Sequence, residues 1–227
     1  MFDHRVTVFV GPYGSGKTEL SLNVVQFLAP QYHQIAIVDL DIVKPYFRAR
    51  EFRTKLIHRD IRVILPQGEL QHADMPSVSA EVFTVFHNPD LKVIMDVGGD
   101  DAGAVALGQY KAQFEKIDHE VLFVINTRRP FSQTADHLIE MKERIEWRSR
   151  LPITALVANT NLGAETTKET ILEGYAVAQE VSKRTGLPIA FAAIDRRLHQ
   201  DVKHIIKEPL FLVDRQMLPP WERNIEE

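Results

Sequence analysis

The sequence predicts an α/β fold: a doubly wound, mostly parallel sheet with helices on both faces. Three observations predict it. Short runs rich in β-branched and aromatic residues recur at Val6–Val10, Ile35–Asp39, Arg62–Leu65, Val93–Val97, Val121–Asn126, Ile153–Asn159, Ile189–Ile194 and Leu210–Val213. Most of these runs are apolar throughout rather than alternating, as strands buried on both faces of a parallel sheet must be. Amphipathic stretches lie between them, and strand–helix alternation implies right-handed crossovers. Ligands of such sheets bind beyond the carboxyl ends of the strands, so the residues at those ends carry the functional reading.

The first strand runs into Gly11-Pro12-Tyr13-Gly14-Ser15-Gly16-Lys17-Thr18, which fits G-x-x-x-x-G-K-[ST], the phosphate-binding P-loop. Gly11, Gly14 and Gly16 permit backbone angles that side chains forbid, so the loop's N–H groups, that of Ser15 among them, turn inward on an anion. Glu19–Leu28 has apolar residues at helical spacing, and the start of that helix near Lys17 adds its positive dipole end. Lys17 has the reach for the β- and γ-phosphates, and the Thr18 hydroxyl suits Mg2+.

The second strand ends in Asp39-Leu40-Asp41, before Lys44-Pro45. Two carboxylates spaced i and i+2 point to one side if the chain stays extended. One suits orientation of an attacking water and the other assistance to Mg2+, the sequence leaving open which does which. A helix cap beside a solvated aspartate is the plainer account of the pair. The run from Val93 ends in Asp96-Val97-Gly98-Gly99, with a carboxylate placed to hold the water shell of Mg2+ and glycines that let the backbone pass close to a γ-phosphate.

The remaining strand ends are polar. Asn126-Thr127-Arg128-Arg129-Pro130 offers two arginines for a second anion or for the γ-phosphate, and equally reads as a solvated basic loop. Helical patterns follow at Ser132–Arg148 and Glu165–Thr185, the second closed by Gly186 and Pro188. Residues 66–77 form a long irregular stretch, suited to a lid or a docking site, in which His72 near Asp74 makes a weak catalytic pair. The histidines show no metal-ligand spacing.

Composition narrows the classes. The chain has 227 residues, 44% hydrophobic and 26% charged, which suits one large domain over 1–227 with residues 215–227 as a C-terminal arm. A net charge of −4 argues against nucleic acid as a partner. The absence of cysteine removes disulfides, thiolate metal sites and cysteine nucleophiles, and fits a reducing cytoplasm. Met1-Phe2-Asp3-His4-Arg5 runs directly into the first strand, so no signal peptide is expected. No apolar run has the length of a membrane span, so no membrane insertion is expected.

A P-loop, a strand ending in D-x-D before a proline, and then D-x-G-G resemble the MinD/ParA/CobQ-type branch of P-loop nucleotidases, which includes dethiobiotin synthetase and relatives of the nitrogenase iron protein. The resemblance covers roughly residues 6 to 206. It implies a P-loop nucleotidase fold, with Asp39 and Asp41 as the D-x-D switch and Asp96 at the Walker B position. It also implies base recognition at the end of the strand that closes in Asn159. Guanine readers of related folds carry N-K-x-D there; this chain has Asn159-Thr160-Asn161-Leu162. Adenine is the better match, with the Asn159 amide facing its edge and Asp195, in Ile194-Asp195-Arg196, on a second base-side loop. Asn159 also has an ordinary turn explanation. MinD and ParA carry an early P-loop lysine that reaches across a dimer. Pro12 and Tyr13 stand in that stretch here, so a lysine-bridged sandwich is not expected.

The expected function is a Mg2+-dependent ATPase that switches or powers an unidentified protein partner, with homodimerisation open. Lys17, Asp39 and Asp41 would be catalytic, and Thr18, Asp41 and Asp96 would hold the metal. A small-molecule kinase or ATP-dependent ligase of the dethiobiotin-synthetase type, with its own acceptor, is the first alternative. A nucleotide-binding module with negligible hydrolysis is the second.

Overall fold

A computed structural model describes residues 1–41, 56–64 and 80–217. Lys44 and Pro45, the 66–77 stretch with His72 and Asp74, and the Pro219–Glu227 tail lie outside the described residues. The chain order is β1 (Val6–Val10), α1 (Lys17–Leu28), β2 (Ile35–Leu40), β3 (Ile61–Ile64), α2 (Ala80–His87), β4 (Lys92–Val97), α3 (Asp101–Gly108), α4 (Lys111–Phe114), β5 (His119–Ile125), α5 (Ala135–Ser149), β6 (Ala155–Ala158), α6 (Lys168–Thr185), β7 (Ile189–Asp195), α7 (His199–Val202) and β8 (Leu210–Val213).

The eight strands form one sheet in the order β3-β2-β4-β1-β5-β6-β7-β8. Every pairing is parallel. All eight expected strands are present, so the all-apolar pattern reported the parallel sheet correctly. The chain moves outward from β1 in both directions, which places the P-loop strand between β4 and β5. The loop after β1 thus opens where the winding reverses, the usual ligand crevice of such sheets.

Alternate strand residues feed two cores. Phe9, Ile35, Ile37, Ile94, Leu122 and Val124 pack with Leu20, Val24, Val25 and Leu28 of α1. On the other face Val8, Val38, Met95, Phe123 and Leu156 meet Val85 of α2, Leu107 of α3, Phe114 of α4, Leu138 of α5 and Ala178 and Val181 of α6.

Two helix starts lie a turn later than periodicity suggests. Thr134 caps α5, its hydroxyl accepting from the His137 N–H at 3.4 Å. Thr167 caps α6 by accepting from the Thr170 N–H at 3.3 Å. A threonine cap uses extended backbone, so the helical residues begin just after it. Gly186 closes α6 at φ 76°, as expected.

Candidate functional site

The P-loop follows from β1 and α1 together. Gly11 at φ 144° and Gly16 at φ 94° hold conformations that disfavour any side chain. A Cβ at Gly11 would lie 2.6 Å from the Val124 carbonyl oxygen of β5, and one at Gly16 would strike the Asn159 amide. The loop is therefore pressed against the ends of β5 and β6, which fixes its curvature. Gly14 is likewise left-handed, at φ 75°.

Lys17 is 6% exposed. Its Nζ donates to the Gly11 carbonyl at 3.0 Å and the Pro12 carbonyl at 2.9 Å, so the ammonium lies folded into the mouth of its own loop. Thr18 follows in the first turn of α1, half-buried. The Ser15 hydroxyl is buried without a hydrogen-bond partner among the described residues.

The carboxylates come from the neighbouring strands. Asp39 and Asp96 are register partners on β2 and β4. Asp39 accepts from the Asp41 N–H at 2.8 Å. Burial, and next the adjacent Asp96 charge, hold the Asp39 carboxyl well above its ordinary value; the Asp41 N–H opposes them. Asp96 is buried. A Cβ on Gly98 would lie 3.3 Å from the Asp41 Oδ1. One on Gly99 would lie 2.6 Å from the Tyr13 N and 2.9 Å from the Lys17 Nζ. The strand-end glycines thus bring β4 against both the D-x-D segment and the P-loop.

Among the described residues, no group of three His, Cys, Asp or Glu side chains could hold a metal ion by itself. Mg2+ keeps several waters and takes one or two carboxylates beside substrate phosphates. A cation beside Asp39 and Asp96 would also relieve their mutual repulsion, so the donor chemistry of Thr18, Asp41 and Asp96 fits that ion.

The two arginines part company. Arg128 pairs with Glu173 of α6. Arg129 turns back, and its Nε donates to the Gly14 carbonyl at 2.8 Å. Asn159 is buried, and its amide nitrogen donates to the Ser15 carbonyl at 2.7 Å. Asp195 ends β7 and accepts from the Arg197 backbone N–H at 2.9 Å and from its guanidinium at 2.7 Å. Burial raises the Asp195 carboxyl, but these Arg197 contacts outweigh it and leave it below its usual range.

Residues without an expected role complete the frame. Asn126, fully buried, accepts from the N–H groups of Arg128 at 3.0 Å and Asn161 at 3.3 Å, tying together the loops after β5 and β6. It ends an apolar strand as Asn159 does, and that repetition was the signal in the sequence. Glu19 accepts from the Gln216 N–H at 2.7 Å and the Met217 N–H at 3.0 Å, fastening the segment after β8 to α1. Residues 215–217, expected to begin an arm, thus include two pinned to the helix that follows the P-loop.

No family model and no curated protein matches the sequence. Solved structures do resemble the fold. The cell division protein FtsY of Thermotoga maritima superposes with a TM-score of 0.56 at 18% identity, over 83% of this chain and 61% of that one. This chain has a P-loop nucleotidase fold. The same fold recurs in the signal recognition particle 54 kDa protein of Aeropyrum pernix in complex with GDP, with a TM-score of 0.53 at 18% identity over 82% of this chain and 40% of that one. It recurs again in a nucleotide-binding protein of Archaeoglobus fulgidus in complex with ADP, at 0.51 and 16% identity over 87% and 84%. This P-loop nucleotidase fold has, among its described residues, no helix long and apolar enough to cross a membrane.

Proposed function

We propose that this chain is a Mg2+-dependent ATPase that switches or powers a protein partner. One observation carries the reading. Lys17, folded into the P-loop, lies against the glycines that follow Asp96, and Asp96 stands in register with Asp39 of the D-x-D segment. A cation site for phosphate and a carboxylate site for water and metal therefore share one crevice.

In this reading the loop N–H groups and Lys17 bind the phosphates, the lysine exchanging its two loop carbonyls for phosphate oxygens. Thr18, Asp41 and Asp96 would hold Mg2+, which supplies charge neutralisation at the β- and γ-phosphates when bound. Asp39 is the better candidate to orient the attacking water. It stands in register with Asp96, and burial first, then Asp96, hold its carboxyl above its ordinary value, which favours accepting a proton from water. Placement in the MinD/ParA/CobQ-type branch is supported by D-x-D and D-x-G-G. Adenine recognition is supported by the residues after β6. A cytoplasmic setting is supported by the cysteine-free composition.

The test is phosphate release with ATP as sole substrate, with and without Mg2+, for the parent and for Asp39→Asn and Asp41→Asn. Steady release that needs Mg2+ and falls more in turnover than in ATP affinity supports the ATPase. ATP binding without release, restored by a second small molecule, would point instead to the kinase or ligase. Parent-rate hydrolysis in both variants would remove the D-x-D segment from the mechanism.

A further inference from the structure

We propose that Arg129 is a γ-phosphate-reading catalytic residue supplied in cis from the β5 loop; this rests on the nucleotide reading above. The argument begins with how the side chain is held. Arg129-Pro130-Phe131-Ser132 is a tight turn, closed by the Ser132 N–H on the Arg129 carbonyl at 3.2 Å. Proline suits its second position, and the third takes the left-handed conformation that usually demands glycine or asparagine. Phe131 occupies it at φ 59° and is 74% exposed. A bulky residue in that conformation is a true backbone outlier, of the kind that gathers at functional sites. The turn is anchored on both sides, by fully buried Asn126 before it and fully buried Ser132 within it.

The anchored turn delivers one arginine to the phosphate loop. The Arg129 side chain lies over Gly14, where a Cβ would come within 3.2 Å of its Nε. Nε is spent on the Gly14 carbonyl, while the two Nη groups make no hydrogen bond among the described residues. Gly14 lies midway along the loop whose N–H groups face the phosphates, so the remaining donors of the fork are held at the rim of the anion site. Arg128, one residue earlier, turns away from the loop and pairs with Glu173 of α6. A fixed guanidinium suits phosphate oxygens because its planar donors are pre-organised. In hydrolysis the water oxygen bonds to the γ-phosphorus and the bond to the ADP oxygen breaks. The electron pair stays on ADP and the water proton passes to a carboxylate or to phosphate. Charge grows on the leaving oxygen and on the transferred phosphoryl oxygens, and an arginine tethered to the loop at Gly14 would meet it without a partner chain. This also gives the loop a second cation in a chain whose P-loop has Pro12 and Tyr13 where a second lysine would stand.

The test compares the parent with Arg129→Ala, Arg129→Lys and Arg128→Ala. Calorimetry with ADP and with a non-hydrolysable ATP analogue is paired with single-turnover hydrolysis of ATP. The expected result for Arg129→Ala is an affinity for the ATP analogue lowered about tenfold, with ADP affinity moved less than about threefold and turnover lowered about a hundredfold or more. Arg129→Lys should recover part of the analogue affinity, and Arg128→Ala should keep the parent ratio. Equal losses for ADP and the analogue would mean that Arg129 only braces the loop, and would overturn the inference while leaving nucleotide binding intact. A parent that binds neither nucleotide would overturn the nucleotide reading and this inference with it.

Discussion

Asp39 and Asp96 stand side by side at the carboxyl end of the sheet, Cα partners on adjacent parallel strands. Neighbours in register present their side chains on the same face, so the two carboxylates face one environment. Asp39 is consequently held well above its ordinary value, by burial first and by Asp96 second. A cation bound between the two carboxylates would offset the cost of ionising both.

The raised Asp39 carboxyl predicts a pH dependence. A carboxyl raised in the folded state binds more protons there than in the unfolded state. Stability therefore falls as pH rises from about 4, the unfolded value, through the raised one. The thermal midpoint of nucleotide-free, Mg2+-free protein should decline across that window. Asp39→Asn keeps an oxygen for the Asp41 N–H but removes the charge. It should flatten the decline and raise the midpoint near neutrality by about 2–4 °C, corresponding to about 1 kcal/mol. A variant with the parent's slope would remove the carboxylate pair as its cause.

Lys17 supports a prediction about binding. Replacement by Ala removes a charge-assisted phosphate contact worth about 1.5–3 kcal/mol, so ATP affinity should fall roughly tenfold to hundredfold. It also removes the hydrogen bonds to Gly11 and Pro12, so the midpoint should drop by a few degrees without loss of the fold. Titration of a folded Lys17→Ala variant decides the matter, and unchanged affinity would sink the P-loop reading.

The sheet was legible because its strands are short, β-branched and apolar on both faces, as buried Phe9 of β1 and Ile94 of β4 show. The P-loop was legible because its chemistry is local: glycines, lysine and threonine act within one turn. What depends on long-range register was not. Nothing local says that β2 lies beside β4, so the contact of Asp39 with Asp96 was hidden, and with it the raised carboxyl. The arginine pair read as one basic loop, because only the turn through Phe131 sends Arg129 to Gly14 and Arg128 to Glu173. Asn126 was missed for the same reason, since its partners are set by the pairing of β5 with β6.

Gly99 gives a steric prediction. A Cβ added there would lie 2.6 Å from the Tyr13 backbone N and 2.9 Å from the Lys17 Nζ, so only glycine allows this approach of the chain after β4 to the P-loop. Backbone cannot yield as a flexible side-chain tip can, so Gly99→Ala must push the P-loop away from the carboxylates. ATP affinity should fall by about tenfold or more, while the thermal midpoint shifts by only a few degrees because the sheet core is untouched. Near-parent affinity in this variant would show that the loop moves aside on binding.

The base site yields the last prediction, that ATP binds at least about tenfold more tightly than GTP. Guanine is read by a carboxylate that accepts from its ring N–H and its amino group. Residues 159–163 are Asn, Thr, Asn, Leu and Gly, none of which has one. The nearest acid in the reading is Asp195, only 12% exposed at its side chain. Both of its oxygens accept from Arg197, whose Nε reaches one at 3.0 Å and the other at 3.1 Å. A carboxylate occupied in this way presents little to guanine. Cutting the guanidinium contacts should change that: Arg197→Ala frees the Asp195 Oδ2, while Oδ1 still accepts from the backbone N–H of residue 197, and should shift the ATP-to-GTP ratio toward GTP by roughly tenfold, since an unpaired buried acceptor selects for a donor. Competition calorimetry on both proteins gives the two ratios. Tighter GTP than ATP in the parent would mean that the base lies elsewhere, and an unchanged ratio in Arg197→Ala would remove Asp195 from its surroundings.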